Sequence, residues 1–174
     1  MADELYCDGG VIGHNPSDEG GTYAWVLVRD GKIVRQASGI ILPSDGYNGV
    51  ISNNVSELVA AVVAIEAMPI GWTGTLYSDS QVTLGRLFLA WPLRNVPRYL
   101  VTRLWAIQRT ERLAGVQHVL LQGHPTKADL AAGIGKKRNL PVSKWNAWAD
   151  RECAHQASEY MIAKHLLVEV GGNP

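Results

Sequence analysis

Four carboxylates stand in four different local contexts along this chain. Asp8 sits in Cys7-Asp8-Gly9-Gly10, Glu57 in Asn53-Asn54-Val55-Ser56-Glu57, Asp79 in Ser78-Asp79-Ser80-Gln81, and Asp150 in Trp148-Ala149-Asp150. Brought together, they would form an all-oxygen cage suited to Mg²⁺ and to phosphate chemistry. Each also has another use. Asp8 lies in a strand pattern, where Asp is depleted and a buried carboxylate is costly without a cation or donors; a bulge at the two glycines is the alternative. Glu57 fits N3 of a capping box with Asn54 as N-cap. Asp79 follows a strand and opens a helix, a position that serves either a cap or a site. Asp150 lies on a helix one turn after Asn146, beside a face carrying Trp145, Trp148, Ala149, Cys153, Ala157 and Tyr160. The choice depends on whether the fold gathers the acids.

The elements that must do so are legible from pattern. Residues 4–11, 22–29 and 32–41 read as strands, the last two joined by a tight Asp30-Gly31 hairpin. Residues 55–68 switch to helical period, with Leu58, Ala61, Val62, Ile65 and Met68 on one face, ended by Pro69 and Gly71. A strand over 73–78 and a helix over 80–90, opened by Asp79 or Ser80, follow. Residues 96–114 read as one or two Arg-bearing helices, and 117–122 as a strand buried through Val119-Leu120-Leu121. A Gly- and Lys-rich loop fills 123–142, and a long helix runs from about Ser143 to Lys164. The order predicts an α/β fold with a five-stranded mixed sheet: three antiparallel strands, then strands alternating with helices that cover both faces. One domain spans 1–174, with a core over about 4–165 and a short tail, 166–174, of undecided structure.

The chain has 174 residues, 47% of them hydrophobic, enough for one substantial core. No run approaches the roughly 18–20 apolar residues of a membrane span, and no leader is evident, so a soluble cytoplasmic protein is expected. Cys7 and Cys153 read as buried free thiols. The net charge of zero hides an asymmetry: residues 1–85 carry −7, residues 86–151 carry +9 and residues 152–174 carry −2. A nucleic-acid partner responds to such a local field rather than to the sum, although mixing of the segments in space would cancel it.

In order and context, these segments resemble the type 1 ribonuclease H family over roughly residues 5–157. The resemblance rests on Asp8-Gly9-Gly10, Asn15-Pro16, Gly20-Gly21-Thr22-Tyr23-Ala24, Asn53-Asn54-Val55-Ser56-Glu57-Leu58, Ser78-Asp79-Ser80-Gln81, Gln122-Gly123-His124 and Asn146-Ala147-Trp148-Ala149-Asp150. Each motif alone is weak; in register they are strong. Proofreading-type exonucleases would need an acid where Gly10 stands, and integrases and junction resolvases lack the acid at Glu57.

The resemblance implies a ribonuclease H-like fold and a metal-dependent endoribonuclease that hydrolyses the RNA strand of RNA–DNA hybrids. Two Mg²⁺ ions are implied, with Mn²⁺ as a substitute. One would help generate the nucleophile and the other would stabilise the leaving 3′ oxygen. Asp8 would bridge the ions, and Glu57, Asp79 and Asp150 would complete the cage. His124 would assist proton transfer or product release. Asn15, Asn53, Asn54, Ser80 and Gln81 would meet the hybrid, sensing ribose hydroxyls and minor-groove edges, while Gly9 and Gly10, lacking Cβ atoms, would let the RNA strand approach. Arg94 and Arg98 are candidate phosphate contacts in an Arg-rich segment, 91–112, that replaces the family's Lys- and Trp-rich handle. The interval between His124 and Asp150 is enlarged, and its Lys136-Lys137-Arg138 reads as a phosphate clamp or a solvated loop. The partner implied is an RNA–DNA hybrid, with no membrane and no obligate protein partner. Two other readings remain: a nuclease of the same fold from a phage or mobile element with a different nucleic-acid substrate, and an inactive nucleic-acid-binding module.

Overall fold

A computed structural model describes residues 3–47 and 49–171, and the side chains of residues 3–47 and 49–167. Strands β1 (Asp3–Val11), β2 (Gly21–Arg29) and β3 (Lys32–Ile41) form an antiparallel meander. Helix α1 (Asn53–Ala67) then crosses to β4 (Gly74–Ser78), which pairs parallel to β1. Helices α2 (Gln81–Phe88) and α3 (Arg98–Arg109) precede β5 (Gln117–Leu120), which is parallel to β4. The sheet order is β3-β2-β1-β4-β5, so β1 is central and flanked by both kinds of pairing.

Side-chain alternation along the strands divides the core in two. Leu5, Cys7, Trp25 and Leu27 pack with Leu58, Val62 and Ile65 of α1 and with Leu100, Leu104 and Ile107 of α3. On the opposite face, Tyr6, Val26 and Val28 meet Trp145 and Trp148, while Ala24 meets Ala149 and Cys153. These last residues belong to α5 (Lys144–Gly171). Helices therefore cover both faces, as the pattern predicts, and both cysteines are buried and free.

Four expectations change. Helix α1 is capped by Ser52, whose Oγ accepts from the Val55 N–H at 3.4 Å; Asn54 is inside the helix, so the capping box at Asn54 and Glu57 does not form. Strand β5 stops at Leu120 and lies at the sheet edge with Gln117 and His118 exposed; only Leu121 and Gln122 beyond it are buried, so its apolar run marks one covered end rather than a central strand. The expected loop over 123–142 contains helix α4 (Lys127–Ala132) and a small hairpin of β6 (Ile134–Gly135) and β7 (Leu140–Pro141). A Thr126–Asp129 capping box starts α4, and Gly133 ends it at φ 71°. Helix α5 continues to Gly171, well past Lys164, and takes in the first part of the undecided tail; residues 172–174 lie outside the description. Among the described residues, no helix is long and apolar enough to cross a membrane.

Candidate active site

Three of the four acids converge. Asp8 comes from the middle of the sheet, Glu57 from the first turns of α1, and Asp79 from the end of β4 just before α2. One carboxylate oxygen from each lies within 4.8 Å of the others. Parallel pairing of β1 with β4 brings Asp8 and Asp79 to the same end of the sheet. Glu57 joins them because α1 presses directly on β1 at Gly9. A Cβ on Gly9 would sit 2.2 Å from the Ser56 carbonyl carbon and 2.4 Å from the Glu57 nitrogen, a separation no side chain can occupy. The Gly10 position is confined too, with Thr22 Oγ1 at 3.0 Å and Cys153 Cβ at 3.7 Å from such an atom. Both glycines are thus required by internal packing as well.

The caps leave the acids free. Ser80, not Asp79, opens α2, accepting from the Thr83 N–H at 3.3 Å. With Ser52 capping α1, Glu57 is released as well. Its Oε1 accepts instead from Asn53 Nδ2 at 2.6 Å, and the Asn53 N–H donates to Asn15 Oδ1 at 3.1 Å. Asn15 and Asn53 are thereby linked at the rim, where Asn54 and Gln81 are exposed. Ser80 is buried beneath.

Electrostatics agree with this crowding. Burial, then repulsion from Asp79, holds the Asp8 carboxyl well above its ordinary range; the Gly9 N–H, donating to Asp8 Oδ1 at 2.8 Å, opposes the shift. Burial also pushes Glu57 up to about 7, against help from Ser80 and Asn53. Asp79 is raised by burial and partly relieved by His124 and Asn146. Three carboxyls that burial drives toward their neutral forms are a poor arrangement for a protein alone. A divalent cation reverses that logic, and hard oxygen donors at this spacing fit Mg²⁺ or Mn²⁺.

Asp150 stands apart. It is outside the three-acid cluster, its side chain is 46% exposed, and its Oδ2 lies 3.6 Å from Nδ1 of His124. Its charge still raises Asp8 and Asp79, so it borders the site without completing a four-acid cage. His124 is 84% exposed at φ 48°, on the rim between Asp150 and the cluster.

Other residues support the site without having been singled out for it. Asn146, 2% exposed, braces Asp79. The Cys153 thiol donates to the Asp8 carbonyl at 3.4 Å, anchoring α5 to β1. Asn146 and Cys153 lie on the same side of α5 as Ala149, and this spacing was the available signal. Gly123 is the third: its Cβ would fall 2.3 Å from Asp79 Oδ2.

The basic segment divides into two groups. Arg103 forms a bidentate pair with Glu66, and Arg112 donates to the Met68 carbonyl at 2.6 Å. These two hold the C-terminal end of α1. Arg94, Arg98 and Arg109 are exposed, as are Trp91 at 38% and Trp105 at 49%.

No protein-family model and no curated protein matches the sequence. Solved structures do. LC11-RNase H1, isolated from compost by a metagenomic approach, superposes at a TM-score of 0.61 with 18% identity, covering 92% of this chain and 98% of its own. The same protein in complex with an RNA/DNA hybrid gives 0.61 at 17% identity, covering 91% and 99%. RNase H1 from the halophilic archaeon Halobacterium salinarum gives 0.57 at 24% identity, covering 91% and 99%. The chain therefore has a ribonuclease H-like fold over nearly its whole length.

Proposed function

We propose that this chain is a metal-dependent endoribonuclease that cleaves the RNA strand of RNA–DNA hybrids. The observation that carries the proposal is the convergence of Asp8, Glu57 and Asp79 within 4.8 Å. That this occurs on a ribonuclease H-like scaffold, one of whose structural neighbours is solved with an RNA/DNA hybrid, adds the substrate class.

The three acids would hold Mg²⁺, or Mn²⁺ in its place, with two ions per site and Asp150 contributing from the rim. Bound there, divalent ions supply a nucleophile at neutral pH and charge neutralisation for an in-line displacement at phosphorus. The protein's part is positional. The Gly9 N–H fixes Asp8 Oδ1, and Asn53 fixes Glu57 Oε1. Burial keeps water from weakening these contacts. His124, exposed beside Asp150, is placed to relay a proton to or from the departing oxygen. The linked pair Asn15 and Asn53, with Asn54 and Gln81, offers donors and acceptors to ribose hydroxyls and base edges at the mouth of the site. Arg94 and Arg98 supply sequence-independent phosphate contacts.

The test presents labelled RNA–DNA hybrid, RNA duplex, DNA duplex and single strands to wild type and to Asp8→Asn, with Mg²⁺ or Mn²⁺. Metal-dependent cutting of hybrid RNA alone, lost in the variant, is the expected result. Equal cutting of DNA duplex overturns the substrate assignment. Tight hybrid binding without cleavage overturns the catalytic one.

A further inference from the structure

The enlarged segment before α5 is built, not loose. Two buried polar side chains anchor it. The Asp129 carboxylate, 5% exposed, accepts from the Thr126 N–H at 3.0 Å, from the Thr126 hydroxyl at 2.7 Å and from the Lys136 N–H at 3.1 Å. Gln122, 6% exposed, accepts at Oε1 from the Arg138 N–H at 3.0 Å, and its own N–H donates to the Pro141 carbonyl at 3.0 Å. A chain that spends a buried carboxylate and a buried amide on the backbone at 136 and 138 has fixed the position of Lys137 between them.

What is fixed faces a cavity. Gln122, Gly123, His124, Thr126, Asp129, Lys136 and Lys137 line a groove of about 500 Å³, in which the Asp129 carboxylate is already taken up by Thr126 and the Lys136 N–H. Neither lysine ammonium is paired with an acid among the described residues. His124, part of this lining, also lies 3.6 Å from Asp150 at the edge of the acid cluster. The groove therefore adjoins the candidate active site at His124, and its two lysines are opposite in charge to the acid cluster. Two unpaired ammonium groups over a groove of this size suit a phosphate oxyanion. A lysine point charge imposes no base preference on it.

Resting on the function proposed above, we propose that this groove is a subsite for a backbone phosphate of the strand being cut, offset along that strand from the reacting phosphodiester. The shared wall at His124 sets the order: the strand that reaches the acids passes the lysines next. The subsite adds affinity and register on one side of the cut, apart from Arg94 and Arg98 on their own segment.

The test measures hybrid binding in the Asp8→Asn background, where cleavage does not interfere, with Lys136 and Lys137 intact or both changed to Ala. Both side chains are exposed, so the fold is not at risk. Loss of the pair is expected to reduce the slope of log affinity against log salt by about 1. A neutral methylphosphonate placed singly along the RNA strand should weaken binding roughly tenfold at one position near the cut when the lysines are present. It should have no such effect there once they are gone. Identical slopes and identical methylphosphonate profiles overturn the subsite while leaving hybrid cleavage by the wild type standing. If the lysine-bearing protein does not bind hybrid at all, the proposed function fails and the subsite with it.

Discussion

Glu57 lets the price of the site be measured without substrate. Burial holds its carboxyl at about 7 against an ordinary 4.5, even with Ser80 and Asn53 donating to it. A carboxyl raised in this way keeps its proton more tightly in the folded chain than in the unfolded one. Metal-free protein must then lose stability as pH rises from about 4.5 to about 7, and the loss stays complete above that. The shift is worth on the order of 3 kcal/mol, which solvent screening of the partly exposed group reduces to about 2 kcal/mol. Glu57→Gln keeps the Oε1 acceptor for Asn53 but cannot ionise. In EDTA at pH 8 the variant should be about 2 kcal/mol more stable than wild type, a rise in Tm of roughly 4–8 °C for a chain of this size. Near pH 4.5 the two should melt together. Saturating Mg²⁺ or Mn²⁺ should stabilise wild type far more than the variant, and the variant should lose hybrid cleavage. Thermal melts across pH 4–8, with and without metal, measure all of this. Equal stability of the two proteins in EDTA at pH 8, or a less stable variant, would refute the argument that Glu57 is held as a destabilised charge awaiting a cation.

Two further outcomes follow from the packing and from the divided basic segment. Gly9→Ala forces a Cβ against the α1 backbone at 2.2 Å. It should cost about 1–3 kcal/mol or more by chemical denaturation and should lower cleavage further by parting Asp8 from Glu57; a variant of wild-type stability would show that α1 does not press on β1 there. Changing Arg94 and Arg98 to Ala should lower the salt slope of hybrid binding by about 1 per arginine. Arg103→Ala should leave that slope alone and instead destabilise the fold by about 1 kcal/mol or more, since its guanidinium is committed to Glu66. A slope that falls with Arg103 but not with Arg94 and Arg98 would reverse the division.

Most of the sheet was readable because its strands obey local rules. Asp30-Gly31 joins β2 to β3, alternation separates Leu5 and Cys7 from Tyr6, and the i, i+3, i+4 face of Leu58, Ala61, Val62 and Ile65 is buried in α1. Where reading failed, competing signals were close in strength. Ser52 and Asn54 are both good caps, and only the extended backbone at Ser52, with φ −94° and ψ 158°, decides between them. The Thr126–Asp129 box was hidden because the segment after it is short, basic and glycine-bearing, a composition shared by loops. Sequence placed Asp150 with the other acids by order, but distance is set by side-chain direction on α5, and there Asp150 turns to His124.

The same comparison groups Glu57 with Asp8 and Asp79 on physical grounds and not by order alone. In sequence it had an adequate structural use, as the reciprocal partner of an Asn54 cap. The fold withdraws that use by giving the cap to Ser52. It then places the carboxylate beside two others, raises it by burial, and supplies only Asn53 and Ser80 as donors. Nothing in the fold is stabilised by this arrangement: a glutamine there would satisfy Asn53 equally well and carry no charge. A carboxyl raised by burial where a neutral side chain would fit is the arrangement expected of a cation ligand. Asp150 carries no such argument, since its half-exposed carboxylate lies outside the three-acid cluster and faces His124.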